Sequence, residues 1–147
     1  MLLLGTKNVG TQTVLTDGVI ALGSVYRKYC KKNPCGIPAF ARTAQDITLQ
    51  HSGIYHITAT LVGSGDAAGV VTVQLYVDGE PVTGAFSSQT ITTATTELRT
   101  FVIDYYVLVD KDCVLGREAV NAEAITLVNT GVDATFTSVI VNVDKVV

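Results

Sequence analysis

The sequence predicts an all-β chain folded as one antiparallel β-sandwich, and three observations carry that reading. Val, Ile and Thr supply 51 of the 147 residues, and β-branched side chains suit a pleated sheet better than the crowded wall of a helix. From residue 46 onward apolar and polar residues alternate with a period close to two, which leaves one face of each strand apolar. Turn signals built on Asp-Gly and Asn-Thr-Gly separate the alternating runs, and no 3.6-residue period is sustained. Eight to ten short strands in a chain of this length make one domain, a sandwich or jelly roll.

In chain order, the sequence opens with Met1, Leu2, Leu3 and Leu4. This run is too short for a secretory signal and lacks a basic start. Residues 1–10 are expected to form an apolar N-terminal arm, dispensable for the fold, and 11–147 the single domain. Residues 11–16 and 19–26 are expected strands around the Asp17-Gly18 turn. A basic connection over 26–38 follows, holding Cys30, Cys35 and two prolines. In 53–62, Tyr55, Ile57, Ala59 and Leu61 share one face, and His56, Thr58 and Thr60 the other. In 70–77, Val71, Val73, Leu75 and Val77 alternate with Thr72, Gln74 and Tyr76, and Asp78-Gly79 signals a hairpin. In 101–109, Phe101, Ile103, Tyr105, Val107 and Val109 oppose Val102, Asp104, Tyr106 and Leu108. Residues 114–123 have room for a helical turn, which Gly116 weakens. Two final strands, 124–128 and 135–143, flank Asn129-Thr130-Gly131.

Charged residues make up 16% of the chain, against about 25% in ordinary domains, and mean hydropathy is +0.39. That excludes intrinsic disorder and leaves little charge to cover a lone monomer, so part of the surface is expected to be buried against other chains. The net charge of −3 argues against general nucleic-acid binding. Charge-free stretches such as 47–65 are rich in Thr, Ser, Gly, Gln and His, so no helix is expected to cross a membrane. The charge is also regional. Residues 1–49 carry six basic groups against Asp17 and Asp46, and the remainder carries four basic against eleven acidic groups.

No constellation of residues argues for catalysis. Cys30, Cys35 and Cys113 are an odd set without the paired spacing of a zinc site. His51 and His56, five apart, fall on opposite faces of an extended strand. Ser52, His56 and Asp46 form a triad on paper only, with no glycine-flanked nucleophile turn. Asp110, Asp112, Glu118 and Glu123 offer too few oxygens for calcium, and Gly63-Ser64-Gly65 with Gly69 lacks the Lys-Ser/Thr of a phosphate loop. The expectation is no enzyme activity, no metal, no cofactor and no small-molecule substrate. Arg27, Lys28, Lys31 and Lys32, beside Tyr26 and Tyr29, could dock on an acidic protein surface. Asp104 is the one charge within an apolar strand. The face it shares with Tyr106, expected to be continuous with Thr72, Gln74 and Tyr76, suits a symmetric partner because tyrosine joins an apolar ring to a polar handle.

Residues 47–60 read Ile-Thr-Leu-Gln-His-Ser-Gly-Ile-Tyr-His-Ile-Thr-Ala-Thr. This segment resembles the strand pair of tumour necrosis factor-like and complement-type globular heads. Residues 70–82, 101–109 and 124–143 fit the same plan, so the resemblance spans roughly residues 40–147. It implies a ten-strand jelly roll and a homotrimer with sheet faces packed around a threefold axis. Bacterial and phage versions of such heads occur on spore surfaces and virion heads. With no collagen-like stalk and no signal in view, the resemblance points to a tailed-phage head-decoration or head-fibre protein. Its expected partners are further copies of itself and the major capsid protein or another virion protein. Its expected place is the capsid exterior, after synthesis in the host cytoplasm. Thr72, Gln74, Tyr76, Asp104 and Tyr106 are then the expected trimer interface. Met1, Leu2, Leu3, Leu4, Arg27, Lys28, Lys31 and Lys32 are the expected shell anchor. The alternative is a receptor- or carbohydrate-binding head at a fibre tip, using the Ser/Thr-rich residues 87–96.

Overall fold

The computed structural model describes residues 2–30, 38–114 and 117–147, with side chains described outside 111–120. Met1, Lys31, Lys32 and Cys35 lie outside the described residues, and so does the side chain of Cys113. In chain order the strands are β1 (Leu2–Asn8), β2 (Gln12–Val14), β3 (Gly18–Val19), β4 (Ser24–Tyr29), β5 (Phe40–Arg42), β6 (Ile47–Leu49) and β7 (Gly53–Gly65). The second half adds β8 (Gly69–Val77), β9 (Glu80–Ile91), β10 (Arg99–Val109), β11 (Lys111–Val114), β12 (Arg117–Val120), β13 (Glu123–Asn129) and β14 (Ala134–Lys145).

Ten of these strands form two five-stranded antiparallel layers. The first runs β10-β7-β14-β1-β4, with β2 on β14; the second runs β5-β6-β13-β8-β9, with β3 on β13. The predicted all-β jelly-roll sandwich is therefore the observed architecture. Period-two alternation explains how the layers join. Tyr55, Ile57, Ala59 and Leu61 of β7 are fully buried, as are Val71 and Val73 of β8. They meet Phe101 and Ile103 of β10 and Phe136, Val139 and Val141 of β14 in one core. Burying each such Val, Ile, Leu or Phe side chain stabilises the fold by about 1.5–3 kcal/mol. Phe101 and Phe136 pack edge to face, their centroids 5.9 Å apart.

In β14, Phe136 and Val139 both point inward although an odd spacing separates them. A bulge between Phe136 and Ser138 resets the phase against β7, as an extra unpaired residue does. Two turns fall where Asp-Gly signalled them, with Asp17 at φ 64° and Asp78 at φ 51°. The stretch 19–26 is not one strand. It leaves the second layer after β3, buries Ile20 and Leu22, turns at Gly23 (φ 79°) and enters the first layer as β4.

Two expectations are corrected. Residues 114–123 hold no helical turn where described; β11 and β12 pair as a hairpin from Lys111↔Val120 to Val114↔Arg117. The N-terminal segment is not an arm. Leu2–Asn8 pairs with β14 on one side and β4 on the other, so β1 is an interior strand. Leu4 is 1% exposed in the common core. A short apolar run with β-compatible neighbours gains more by filling a sheet than by projecting into water.

Candidate functional site

The outer surface of the first layer carries a polar centre ringed by exposed apolar side chains. Strand register sets its rows. Tyr106, His56, Asp144, Leu3 and Tyr29 lie opposite one another across β10, β7, β14, β1 and β4. The next row holds Asp104, Thr58, Asn142, Gly5 and Arg27. His56 Nε2 is 2.5 Å from Asp104 Oδ1, and the His56 ring stacks on Tyr106 with centroids 4.6 Å apart and planes 17° apart. The Tyr26 hydroxyl donates to Asn142 Oδ1 at 2.6 Å, and Lys7 Nζ sits 5.8 Å from the Tyr26 ring centre. Gly5 makes this possible: a Cβ there would meet the Tyr26 ring at 2.8 Å.

Around this polar centre the surface is apolar. Tyr106 and Leu108 are each 57% exposed, Val102 53%, and Tyr26, Tyr29 and Ile54 are also exposed. Five strands about 4.8 Å apart, running from 6 to 13 residues and averaging about ten at about 3.4 Å per residue, make a face on the order of 800 Å². That matches one side of a standard protein–protein interface.

The five residues expected to form one interface do not share a face. Asp104 and Tyr106 belong to the first layer, whereas Thr72, Gln74 and Tyr76 lie on β8 in the second. The two outer faces of a sandwich point away from each other, so the set divides. Gln74 is also committed elsewhere. Its Nε2 donates to the carbonyls of Leu75, Val82 and Ala85 at 3.1, 2.7 and 3.2 Å, where the β8–β9 register slips between Gln74 and Tyr76. The side chain satisfies backbone acceptors that the bulge leaves unpaired. On the second outer face, Thr72 and Ser88 share a hydrogen bond of 2.8 Å, and Phe86, opposite Gln74, is 54% exposed.

The expected anchor residues also divide. Leu4 is in the core, Leu2 packs partly against it, and Leu3 is 6% exposed; these side chains serve the chain's own fold. Arg27 and Lys28 are exposed on β4, and Met1, Lys31 and Lys32 lie outside the described residues. The paper triad does not assemble: His56 turns to Asp104, while Asp46 Oδ1 accepts the Thr43 amide. Cys30 is a free, partly buried thiol packed against the core. Residues 87–96 are more ordered than a loop. β9 continues to Ile91, and the Glu97 carboxylate accepts the amides of Thr92 and Thr93 at 2.6 and 3.1 Å. Those two amides hold the Glu97 carboxyl below its usual range.

At one end of the second layer, Asp78 and Glu123 share a hydrogen bond. That bond, burial and the nearby Asp78 and Asp110 charges push Glu123 up to about 7. Asp78 moves down, chiefly because it accepts from Glu123 and from the Ala124 amide. Among the described residues, no three His, Cys, Asp or Glu side chains converge as metal ligands. The sequence reading missed the partnership of His56 with Asp104. Both residues fall on the polar phase of their strands, but the register that joins them is not a local signal.

The sequence matches no protein-family model and no curated protein. Solved structures do match over nearly the whole chain. The globular domain of zebrafish complement 1qA protein is similar at a TM-score of 0.64 and 8% identity, covering 100% of this chain and 98% of that one. Eiger TNF from S. frugiperda gives 0.62 and 13%, covering 99% and 91%. PRD1 vertex protein P5 gives 0.57 and 14%, covering 99% and 97%. The fold is the tumour necrosis factor- and complement-like jelly roll. At these identities the likeness fixes the fold alone, so the function must be argued from the surface of this jelly roll.

Proposed function

We propose that the chain is a non-enzymatic structural protein of a virion, a homotrimeric capsid decoration or head-fibre protein on the shell exterior. The outer face of the first layer would be the contact between copies. The observation that carries this reading is the outer face of the first layer, where Ile54, Val102, Tyr106 and Leu108 stand exposed on its β10 side and Tyr26 and Tyr29 on its β4 edge. A patch of this size on a lone chain invites association. The likeness to a vertex protein supports the virion setting by analogy. The expected attachment to the major capsid protein then rests on Lys28, exposed on the edge strand β4, because Arg27 falls in the row of the contact face and the leucines beside them are used internally.

Native mass spectrometry and sedimentation at micromolar concentration test the assembly. The expected species has three times the 15.5 kDa chain mass, and a monomer with a solvent-accessible Tyr106 would sink the reading. Attachment is tested by mixing the protein with undecorated capsids, where Lys28→Glu should reduce co-sedimentation. A second reading, a carbohydrate- or receptor-binding head, is favoured by exposed Phe86 beside the Thr72 and Ser88 hydroxyls, since an aromatic ring flanked by hydroxyls suits a sugar. Saturable glycan-array binding lost in Phe86→Ala would promote it.

A further inference from the structure

Histidine is the side chain whose charge ordinarily changes between about pH 5 and 8, and the candidate contact face holds one between two carboxylates. β10 brings Asp104 to 2.5 Å from His56 Nε2 and stacks Tyr106 on the ring. On the other flank, β14 places Asp144 directly opposite His56. The remaining titratable groups of this face stand further across the sheet. Lys7 and Tyr26 meet each other, while Arg27 is opposite Gly5 and Tyr29 opposite Leu3. Lys145 is opposite Tyr55 and falls by alternation on the inner side.

We propose that this face is a pH-sensitive contact between copies of the chain, strengthened when His56 is protonated against Asp104 and weakened when it is neutral. The proposal rests on the copy-to-copy reading above and adds its regulation. In a single copy the pair contributes little, because the Asp104 side chain is 62% exposed and His56 27%, and water screens it. A second copy seated on the face removes that water. A carboxylate desolvated without a counter-charge then opposes association, whereas a hydrogen-bonded ion pair is tolerated. With His56 protonated, the His56, Asp104 and Asp144 group carries one net negative charge; with it neutral, two. Rising pH thus adds one unpaired negative charge per chain at the contact.

The test is sedimentation velocity on the full chain, titrated in concentration at about pH 5.5 and about pH 8. A fivefold effect per chain, the scale of a modest ion pair, multiplies to about a hundredfold in the trimer dissociation constant. The half-dissociation concentration varies as the square root of that constant and should rise about tenfold at the higher pH. His56→Gln should abolish this dependence, and Asp104→Asn should remove most of it. Glu123→Gln, which removes a carboxyl raised to about 7 on the second layer, should leave it intact. A wild-type trimer whose midpoint moves less than about twofold overturns the proposal, and so does a His56→Gln trimer that keeps the wild-type slope. A monomer at both pH values overturns the copy-to-copy reading itself, a result distinguishable from either.

Discussion

If Leu2–Asn8 is an interior strand, Leu4→Ala should destabilise the whole domain. The Leu4 side chain is 1% exposed and belongs to the common core. β1 carries it between β14, where Leu4 faces Val143, and β4, where it faces Lys28. Truncating a fully buried leucine removes its transfer free energy and leaves a cavity, together about 2–5 kcal/mol. For a chain of this size each kcal/mol shifts the melting temperature by about 2–4 °C, so about 3 kcal/mol lowers it by roughly 10 °C. The assay is thermal unfolding by circular dichroism, with variants at matched protein concentration because the proposed assembly would make the midpoint concentration-dependent. Leu15→Ala, at a side chain 63% exposed, serves as control and should stay within about 0.5 kcal/mol of wild type. Removing residues 2–8 altogether should abolish cooperative unfolding, because β14 and β4 would lose their shared partner. A Leu4→Ala protein melting within about 2 °C of wild type, together with a truncated chain that still unfolds cooperatively, would show that β1 is a dispensable arm.

Further outcomes follow from the same contacts. If copies meet through this face as proposed, Tyr106→Glu should give a monomer in sedimentation without lowering its unfolding cooperativity. Asn129→Ala should cost about 2–4 kcal/mol by urea unfolding. The buried Asn129 amide donates to the Val14 and Val132 carbonyls at 3.1 and 2.8 Å, and its Oδ1 accepts the Gly131 amide. Glu123 binds its proton more tightly folded than unfolded, being raised to about 7. Its contribution is therefore full below about pH 4.5 and lost as pH rises through about 7. Urea titrations from pH 4.5 to 8 should show this decline in wild type and a smaller one in Glu123→Gln.

Much of the fold was legible because its signals are local. Tyr55, Ile57, Ala59 and Leu61 announce an inward face by spacing alone, and Asp78-Gly79 announces the β8–β9 hairpin through two residues that tolerate positive φ. The failures share a cause. Three leucines at the N-terminus carry no phase information, so an arm and an interior strand look alike until β14 arrives to pair with them. Residues 19–26 looked like one strand because nothing in Ile20 or Leu22 signals a crossing between layers; Gly23 marks it only once its φ is known. Residues 114–123 escaped because a short hairpin and a helical turn make similar demands on composition.

The candidate face divides along the same line. The alternating phase put Asp104 and Tyr106 on one side of β10 and Thr72, Gln74 and Tyr76 on one side of β8. Phase within a strand does not say which layer the strand joins, so the expected single patch became two opposed faces. The sequence by itself determined the class of fold, the inward faces of the long strands, the sites of the Asp-Gly turns and a low content of charge. Only the tertiary structure decided that Leu4 is core, that Gln74 clamps a bulge and that His56 meets Asp104. The first and last of those depend on register between strands 48 to more than 130 residues apart in the chain, the Gln74 clamp on a slip within the β8–β9 hairpin, and register is set by the packing of both layers together rather than by any one stretch of residues.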